Sequence, residues 1–486
     1  MKLLFLISEF FYYERLGFLY AATPLKMNGY KVKVVRPQSH SFDKLSKEIS
    51  NYQPDIIGYS ISTGEHNYYI NLNWKLKQNF TFFSIFGGPH PTFFSEMINE
   101  EGVDGVCVGE AEDALLEFAE KFHRKENIYN IANFWIKKED KIIKNPPRDV
   151  IMDLDQISFP DRSIIYDCDD KLRNFNNKTF FASRGCPKKC TYCYNHLYQK
   201  IYPAGGLKVR IRSVTNLIDE ILDVQEKYPL KFISFGDDNF PFKPKGWLEE
   251  FGELYTDKLN LPYQISVSAN FINHQMLSIL KKSNCYSINM SLECGDEEIN
   301  NRLLKKGISK GKFVEAVVLA KEYGIIVRSL NILSLPVPDP IEVDLHTLDV
   351  NIQCKPDAVL ATPLTPFPKL EITEYCINNR YLKDKNIIYQ LKTNTNERSI
   401  LNYGNKNINR KAARLRMLFG ITVEFPFLRP FIKFLINLPL YQIYKYINIL
   451  WFGYVVQIRL ANNVSFFKVF SMLPSFMKYL IYREKY

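Results

Sequence analysis

The chain has no even cysteine count and, over most of its length, no surplus of charge, and its start does not read as a secretory leader. Between Lys2 and Ser8 stand only five apolar residues, followed by aromatics and charges where a cleavable leader has small residues. This start reads as a buried first strand in a reducing, cytosolic protein. Nine cysteines (Cys107, Cys168, Cys186, Cys190, Cys193, Cys285, Cys294, Cys354 and Cys376) imply no disulfide framework. Residues 405–486 hold thirteen Lys and Arg against two Asp and Glu, which accounts for the whole net charge of +11. The other 404 residues balance to zero, so a protein reading nucleic acid over its whole surface is disfavoured. No internal repeat of 20–50 residues is apparent.

What is present is globular. A hydrophobic share of 46% and a charged share of 24% exclude a mostly disordered chain, and 486 residues predict two or three domains. From residue 2 to about 124, KLLFLI, KVKVVR, DIIGYSI, TFFSIFGG and GVCVGE alternate with helix-length stretches, the pattern of a doubly wound parallel sheet. Ligands of such sheets lie beyond the carboxyl ends of the strands, which singles out Ser8, Glu9, Ser60, Ser62, Thr63, Gly87, Gly88, His90, Gly109 and Glu110. Residues 146–177, with Pro146-Pro147 and FPDR, read as a linker. A second series follows over 178–375: KTFFASR, KFISFG, YQISVS, CYSINMSL, IIVRSLNIL and DAVLA. It predicts an incomplete parallel (β/α)6 barrel with its chemistry at the same strand ends. Residues 376–486 form a basic, aromatic-rich and mostly helical C-terminal region, leaving 1–145 as the first domain.

The strongest chemical signal is Cys186-Pro-Lys-Lys-Cys190-Thr-Tyr-Cys193, directly after the first barrel strand. Three thiolates on one loop hold three irons of a cubane and leave the fourth iron open to a substrate or cofactor. Zinc is the competing reading, with His196 completing a set, but zinc sites favour four ligands in paired spacing.

This C-x3-C-x2-C loop, with Tyr192 before its last cysteine, resembles the radical S-adenosylmethionine (SAM) superfamily over 178–375. The resemblance implies a 4Fe-4S cluster on Cys186, Cys190 and Cys193 whose open iron chelates SAM, with Tyr192 near the adenine. It also implies Gly236, Asp237 and Asp238 near the SAM amino group, where the family commonly has two Gly and a Glu. Ser268, Asn270 and Glu293 are further SAM candidates, Glu293 for the ribose, against a plain capping role. The doubly wound domain with FGGPHPTFF and VCVGEAE, and the connector DLDQISFPDR, resemble the cobalamin-binding subfamily. Gly87 and Gly88 would let backbone approach a flat macrocycle. A D-x-H-x-x-G motif is lacking after strand one, so cobalamin contacts are expected but no cobalt ligand. Only Cys107 lies in 1–145, which argues against the methylthiotransferases with their second three-cysteine cluster.

The resemblance implies a cobalamin-dependent radical SAM enzyme, with methyl transfer to an unactivated carbon as the leading expectation. Radical cyclisation, rearrangement or oxidation is the alternative, and an iron-sulfur or corrinoid carrier the non-enzymic one. Implied partners are a small-molecule or lipid substrate and an external electron donor of flavodoxin or ferredoxin type. The segment 417–486 holds eighteen aromatics in 70 residues, and the run between Lys445 and Arg459 is too short to span a bilayer. Packing against the open side of the barrel and peripheral contact with the inner membrane face are both expected of it. Nucleic acid is the weakest reading.

Overall fold

The computed structural model describes residues 1–8, 14–202, 209–383, 398–455 and 459; Glu9 and much of the tail, 456–458 and 460–486, lie outside them. Two compact units result, one of Met1–Gly185 with Leu197–Ile233, the other of Cys186–His196 with Ser234–Tyr486.

In the first unit β1 (Lys2–Ile7), β2 (Lys31–Val35), β3 (Ile56–Ser60), β4 (Phe83–Gly87) and β5 (Gly105–Cys107) are the five strands expected from the sequence. Their order is β2-β1-β3-β4-β5, all parallel. Sheets covered on both faces have strands that are apolar throughout. Here Leu4, Leu6, Ile57 and Tyr59 enter one core, and Leu3, Phe5, Ile7 and Ile56 the other. The order reverses between β1 and β3, so the crevice for a ligand lies beyond Ile7 and Ser60. Two antiparallel strands extend the sheet, β6 (Phe134–Lys138) and β7 (Lys141–Lys144). Sequence periodicity does not reveal them, because four lysines interrupt a short apolar pattern and leave only Phe134 and Ile136 fully buried.

The expected strand over 178–184 is broken into β8 (Asn177–Phe180) and β9 (Ser183–Arg184), the latter antiparallel to β10 (Arg210–Ile211). Beneath them lies a buried charge network. Arg162 of the FPDR segment pairs with Glu14 and with Glu220 (3.2 Å), donates to the Thr179 carbonyl (2.8 Å) and stacks on Phe180. Glu14 also accepts from the Thr179 N–H (2.8 Å) and the Tyr166 hydroxyl, and Glu220 is shared with Arg212.

In the second unit β11 (Phe232–Phe235), β12 (Tyr263–Val267), β13 (Cys285–Glu293), β14 (Ile326–Leu333) and β15 (Ala358–Pro363) lie side by side in sequence order, β12 to β15 parallel. Alternate residues of β14 face outward: Asn331 takes a hydrogen bond from Asn351 of the helix Pro340–Cys354 (2.9 Å), and Leu333 packs on Leu345 and Leu348. The opposite set therefore lines the inner face of the sheet.

The described part of the C-terminal region is helical, as expected. Lys406–Glu424 packs Leu415, Leu418 and Phe419 onto Val359, Ala361 and Leu348. Tyr441–Tyr454 returns across it: a Cβ on Gly420 would meet the Trp451 ring at 2.2 Å, and Asn448 donates to the Met417 carbonyl (2.9 Å). One face of the aromatic segment thus belongs to the core.

Candidate active site

The cysteine loop is pinned at its middle. Thr191 donates its N–H to the Leu304 carbonyl (3.1 Å) and its hydroxyl to that of Leu303 (2.7 Å), while Ile372 N–H binds the Thr191 carbonyl (3.2 Å). Cys190 is buried, and Cys186 and Cys193 are half-buried. Burial raises the Cys186 thiol above its ordinary value and Cys193 to about 11, so both become thiolates at neutral pH only with a cation to compensate them. A cubane spreads three thiolates over three irons, so they need not converge on a point. Among the described residues no three His, Cys, Asp or Glu side chains do so. Soft sulfur donors on a fixed loop suit the cluster.

Around this loop the structure gathers several of the residues expected from the sequence. Tyr192 donates its hydroxyl to Glu293 Oε1 (2.9 Å), which also receives Lys306 Nζ (2.9 Å). Glu293 ends β13 at a register shift and with a φ of +66°, a left-handed conformation that bulky residues avoid. The two aspartates after β11 part company. Asp237 is buried in an ion pair with Lys243 (3.0 Å), which lies over Phe240 and Trp247. Asp238 lies on the side of the cysteine loop, its backbone open to solvent and its carboxyl crowded by the surrounding groups; this partial burial raises its pKa, the Asn195 hydrogen bond opposes the rise and the charge of Asp237 adds to it. Gly236 beside them is exposed. Asn239 accepts from the Ser268 N–H (3.1 Å), yet Asn239 Nδ2 and Ser268 Oγ are buried with no partner among the described residues. Orphaned buried polar atoms at the end of a barrel strand fit a pocket completed by a polar ligand such as SAM. Asn270 is exposed and spends its amide on the Gly307 carbonyl (2.8 Å).

Lys306 and Asn239 were not identified in the sequence. Asn239 follows directly on GDD and was within reach; Lys306 lies thirteen residues beyond Glu293, and only the fold brings it back. Below the strand ends the inner face divides. Ser266 and Asn289 of β12 and β13 are in register with each other and Arg328 of β14 with Asn289, whereas Leu330 and Leu360, one step higher, pair across β14 and β15. One wall is polar and the other apolar.

In the first unit the strand ends present small and polar groups. Ser60, Ser62, Gly87, Gly88, Gly109 and Glu110 are partly exposed, a rim that suits a flat macrocycle. Gly88 has a second reason to be glycine: its φ is +96° and a Cβ would stand 2.9 Å from the Ile61 carbonyl. Thr63 and His90 are turned inward, 3.2 Å apart, with His90 stacked on His66 at 4.1 Å. Burial lowers His66 to about 4, so it is neutral at physiological pH. Glu110 pairs with Arg184 (3.1 Å) and Arg210 (3.0 Å), and its N–H donates to the Tyr202 hydroxyl (3.1 Å). Arg15 and Glu65 (3.0 Å), which sequence reasoning missed, brace the β3 end: Arg15 also donates to the Ser60 carbonyl, and Glu65 accepts the Ser62 N–H (2.9 Å).

A three-cysteine loop at the head of a parallel sheet, together with a doubly wound unit of glycine-rich strand ends, defines an enzyme built for an iron-sulfur cluster, SAM and a corrinoid. Residues 181–346 match the radical SAM superfamily and residues 6–119 the B12 binding domain, together more than half of the chain. The chain belongs to the cobalamin-dependent radical SAM enzymes. It is 26% identical to an uncharacterized methyltransferase of Pyrococcus horikoshii over 76% of this chain and 80% of that one. With the cytidylyl-2-hydroxyethylphosphonate methyltransferase of Streptomyces wedmorensis it shares 21% identity, over 66% and 69%. The fold is that of the cobalamin-dependent S-adenosylmethionine radical enzyme OxsB with aqua-cobalamin bound (TM-score 0.63, 16% identity, 98% of this chain and 75% of that chain).

Proposed function

We propose that the enzyme methylates an unactivated carbon of a small biosynthetic substrate. The observation that carries this reading is the presence of a cobalamin unit and a three-cysteine SAM unit in one chain, and two relatives of methyltransferase name support it. When bound, the cluster and SAM supply a radical able to take hydrogen from such a carbon, and cobalamin supplies the methyl group.

The chain's own residues bind and orient. Cys186, Cys190 and Cys193 hold three irons. Asp238, on the cysteine-loop side, receives the SAM amino group, while the buried Lys243–Asp237 pair fixes the turn that presents it. Glu293, held by Tyr192 and Lys306, offers its second carboxylate oxygen to the ribose. Ser268 and Asn239 have a donor each to give. Ser60, Ser62, Gly87, Gly88, Gly109 and Glu110 form the corrinoid rim, with His90 and Thr63 supporting it from inside. The polar wall of Ser266 and Asn289 and the apolar wall of Leu330 and Leu360 suit a substrate with both characters and keep bulk water from the reacting carbon. An electron donor of flavodoxin or ferredoxin type reduces the cluster.

The test is anaerobic incubation of the reconstituted enzyme with SAM labelled in its methyl group, a reductant and fractionated metabolite pools. Labelled product with S-adenosylhomocysteine and 5′-deoxyadenosine in equal amounts is expected. Deoxyadenosine without S-adenosylhomocysteine would replace methylation by cyclisation, rearrangement or oxidation, and neither product would leave a carrier.

A further inference from the structure

One part of the molecule is not used by this chemistry. Of the sixteen large apolar side chains exposed among the described residues, ten lie between Phe425 and Tyr454. The helix Tyr441–Tyr454 is apolar on two opposite sides. Tyr444 and Trp451 turn inward onto the preceding helix, whereas Ile443, Tyr446, Ile447, Leu450 and Tyr454, at spacings of three and four, form an outward stripe. Phe427, Phe431 and Phe434 of the preceding turns are similarly uncovered, at 68%, 59% and 64% exposure. The inward face already accounts for packing, so among the described residues this outer face is left uncovered, and contiguous exposed apolar surface marks an interaction site.

Charge selects the occupant. From Phe425 to Arg483 the sequence contains no Asp or Glu and seven Lys and Arg. Arg429 pairs with Asp349 (2.8 Å) and Lys433 with Glu342 (2.6 Å), both from the helix beneath, and Arg459 with Glu424 (2.7 Å), pairs that anchor the segment to the rest of the unit. No helix among the described residues is long and apolar enough to cross a membrane. Outward aromatics between single cations are the composition of a segment lying in a headgroup layer. We propose that residues 425–454 dock the enzyme on an anionic lipid surface, Leu450, Ile443 and the phenylalanines entering the acyl boundary, and the net positive charge of the C-terminal region, thirteen Lys and Arg against two Asp and Glu over 405–486, favouring anionic headgroups.

The test is flotation of the full-length protein with vesicles of phosphatidylcholine alone and of phosphatidylcholine mixed with phosphatidylglycerol. Binding to the mixed vesicles that weakens with salt is expected, with little binding to phosphatidylcholine alone. The double substitution Ile443→Glu/Leu450→Glu should lower binding by about tenfold or more, while cluster and cobalamin absorbance stay unchanged. Absence of flotation by the native chain, equal flotation on both vesicle types, or equal flotation by the variant would overturn the proposal. So would a native dimer that the double substitution dissolves, since the occupant would then be a second copy of the chain.

Discussion

Replacing Arg162 by Met should invert the pH dependence of the first unit. Arg162 is the cation paired to Glu14, and both side chains are almost wholly buried. In the native chain burial raises the Glu14 pKa, but the charge and hydrogen bond of Arg162, together with the hydrogen bonds of Tyr166 and Thr179, outweigh it, so the carboxyl titrates below its usual range. Its contribution is present at neutral pH and lost as pH falls through that depressed value. Without Arg162, burial, the largest effect on Glu14, is opposed only by the weaker Tyr166 and Thr179 hydrogen bonds, and its pKa should rise above the unfolded value. Breaking a buried pair costs about 3–5 kcal/mol at pH 7. Between the unfolded value and the raised one, the folded variant holds one proton more than the unfolded chain, so its stability rises as pH falls, by about 1.4 kcal/mol per unit. The penalty at pH 5 should therefore be smaller than at pH 7. Hydrogen exchange of peptides covering β1 and β8, corrected for intrinsic rates, reads this locally in a chain of two units. Glu14→Gln added to Arg162→Met should remove most of the pH dependence. A penalty equal at the two pH values would refute the reasoning.

Other substitutions separate positioning from binding. Asp238→Asn should weaken SAM binding about tenfold or more, the worth of a charge-assisted hydrogen bond, without lowering the melting temperature. Asp237→Asn should instead lower the melting temperature; calorimetry with SAM measures both, and the reverse pattern would count against the assignment. His66, lowered from 6.5 to about 4 by burial, binds its proton in the unfolded chain first. Stability should fall by about 2 kcal/mol between pH 7 and 5 on its account, and His66→Gln should flatten that slope in urea titrations. Gly420→Ala drives a Cβ against the Trp451 ring and should cost about 1–3 kcal/mol, seen as a lower melting temperature; an unchanged melt would mean the returning helix is free to move aside.

Much of this was legible in the sequence because it is periodic or tightly spaced. The five parallel strands of the first unit are short, mostly apolar stretches separated by helix-length ones, and Cys186, Cys190 and Cys193 sit within eight residues. What escaped was either short or assembled only by the fold. β6 and β7 are five and four residues diluted by lysine, and β9 and β10 are two residues each. Lys306 reaches Glu293 through the loop after β13, and Arg162 meets Glu14 across 148 positions, a separation no local pattern records. Packing and lipid contact are both expected of the aromatic tail; among its described residues the inner face packs, and the outer one is the surface proposed to meet lipid.

The ends of the seven-stranded sheet have a consequence for the folding chain. β2 and β7 are its two open borders, and both carry two lysines, Lys31 and Lys33 on one side, Lys141 and Lys144 on the other. A bare border offers unpaired N–H and carbonyl groups to any passing strand, and this enzyme is rich in β-forming segments that are unpaired while the rest of the chain is being made. Cations on each border desolvate poorly and repel their like on a second molecule. Part of the basic count that is lost in a neutral average over 404 residues thus serves to keep nascent chains apart.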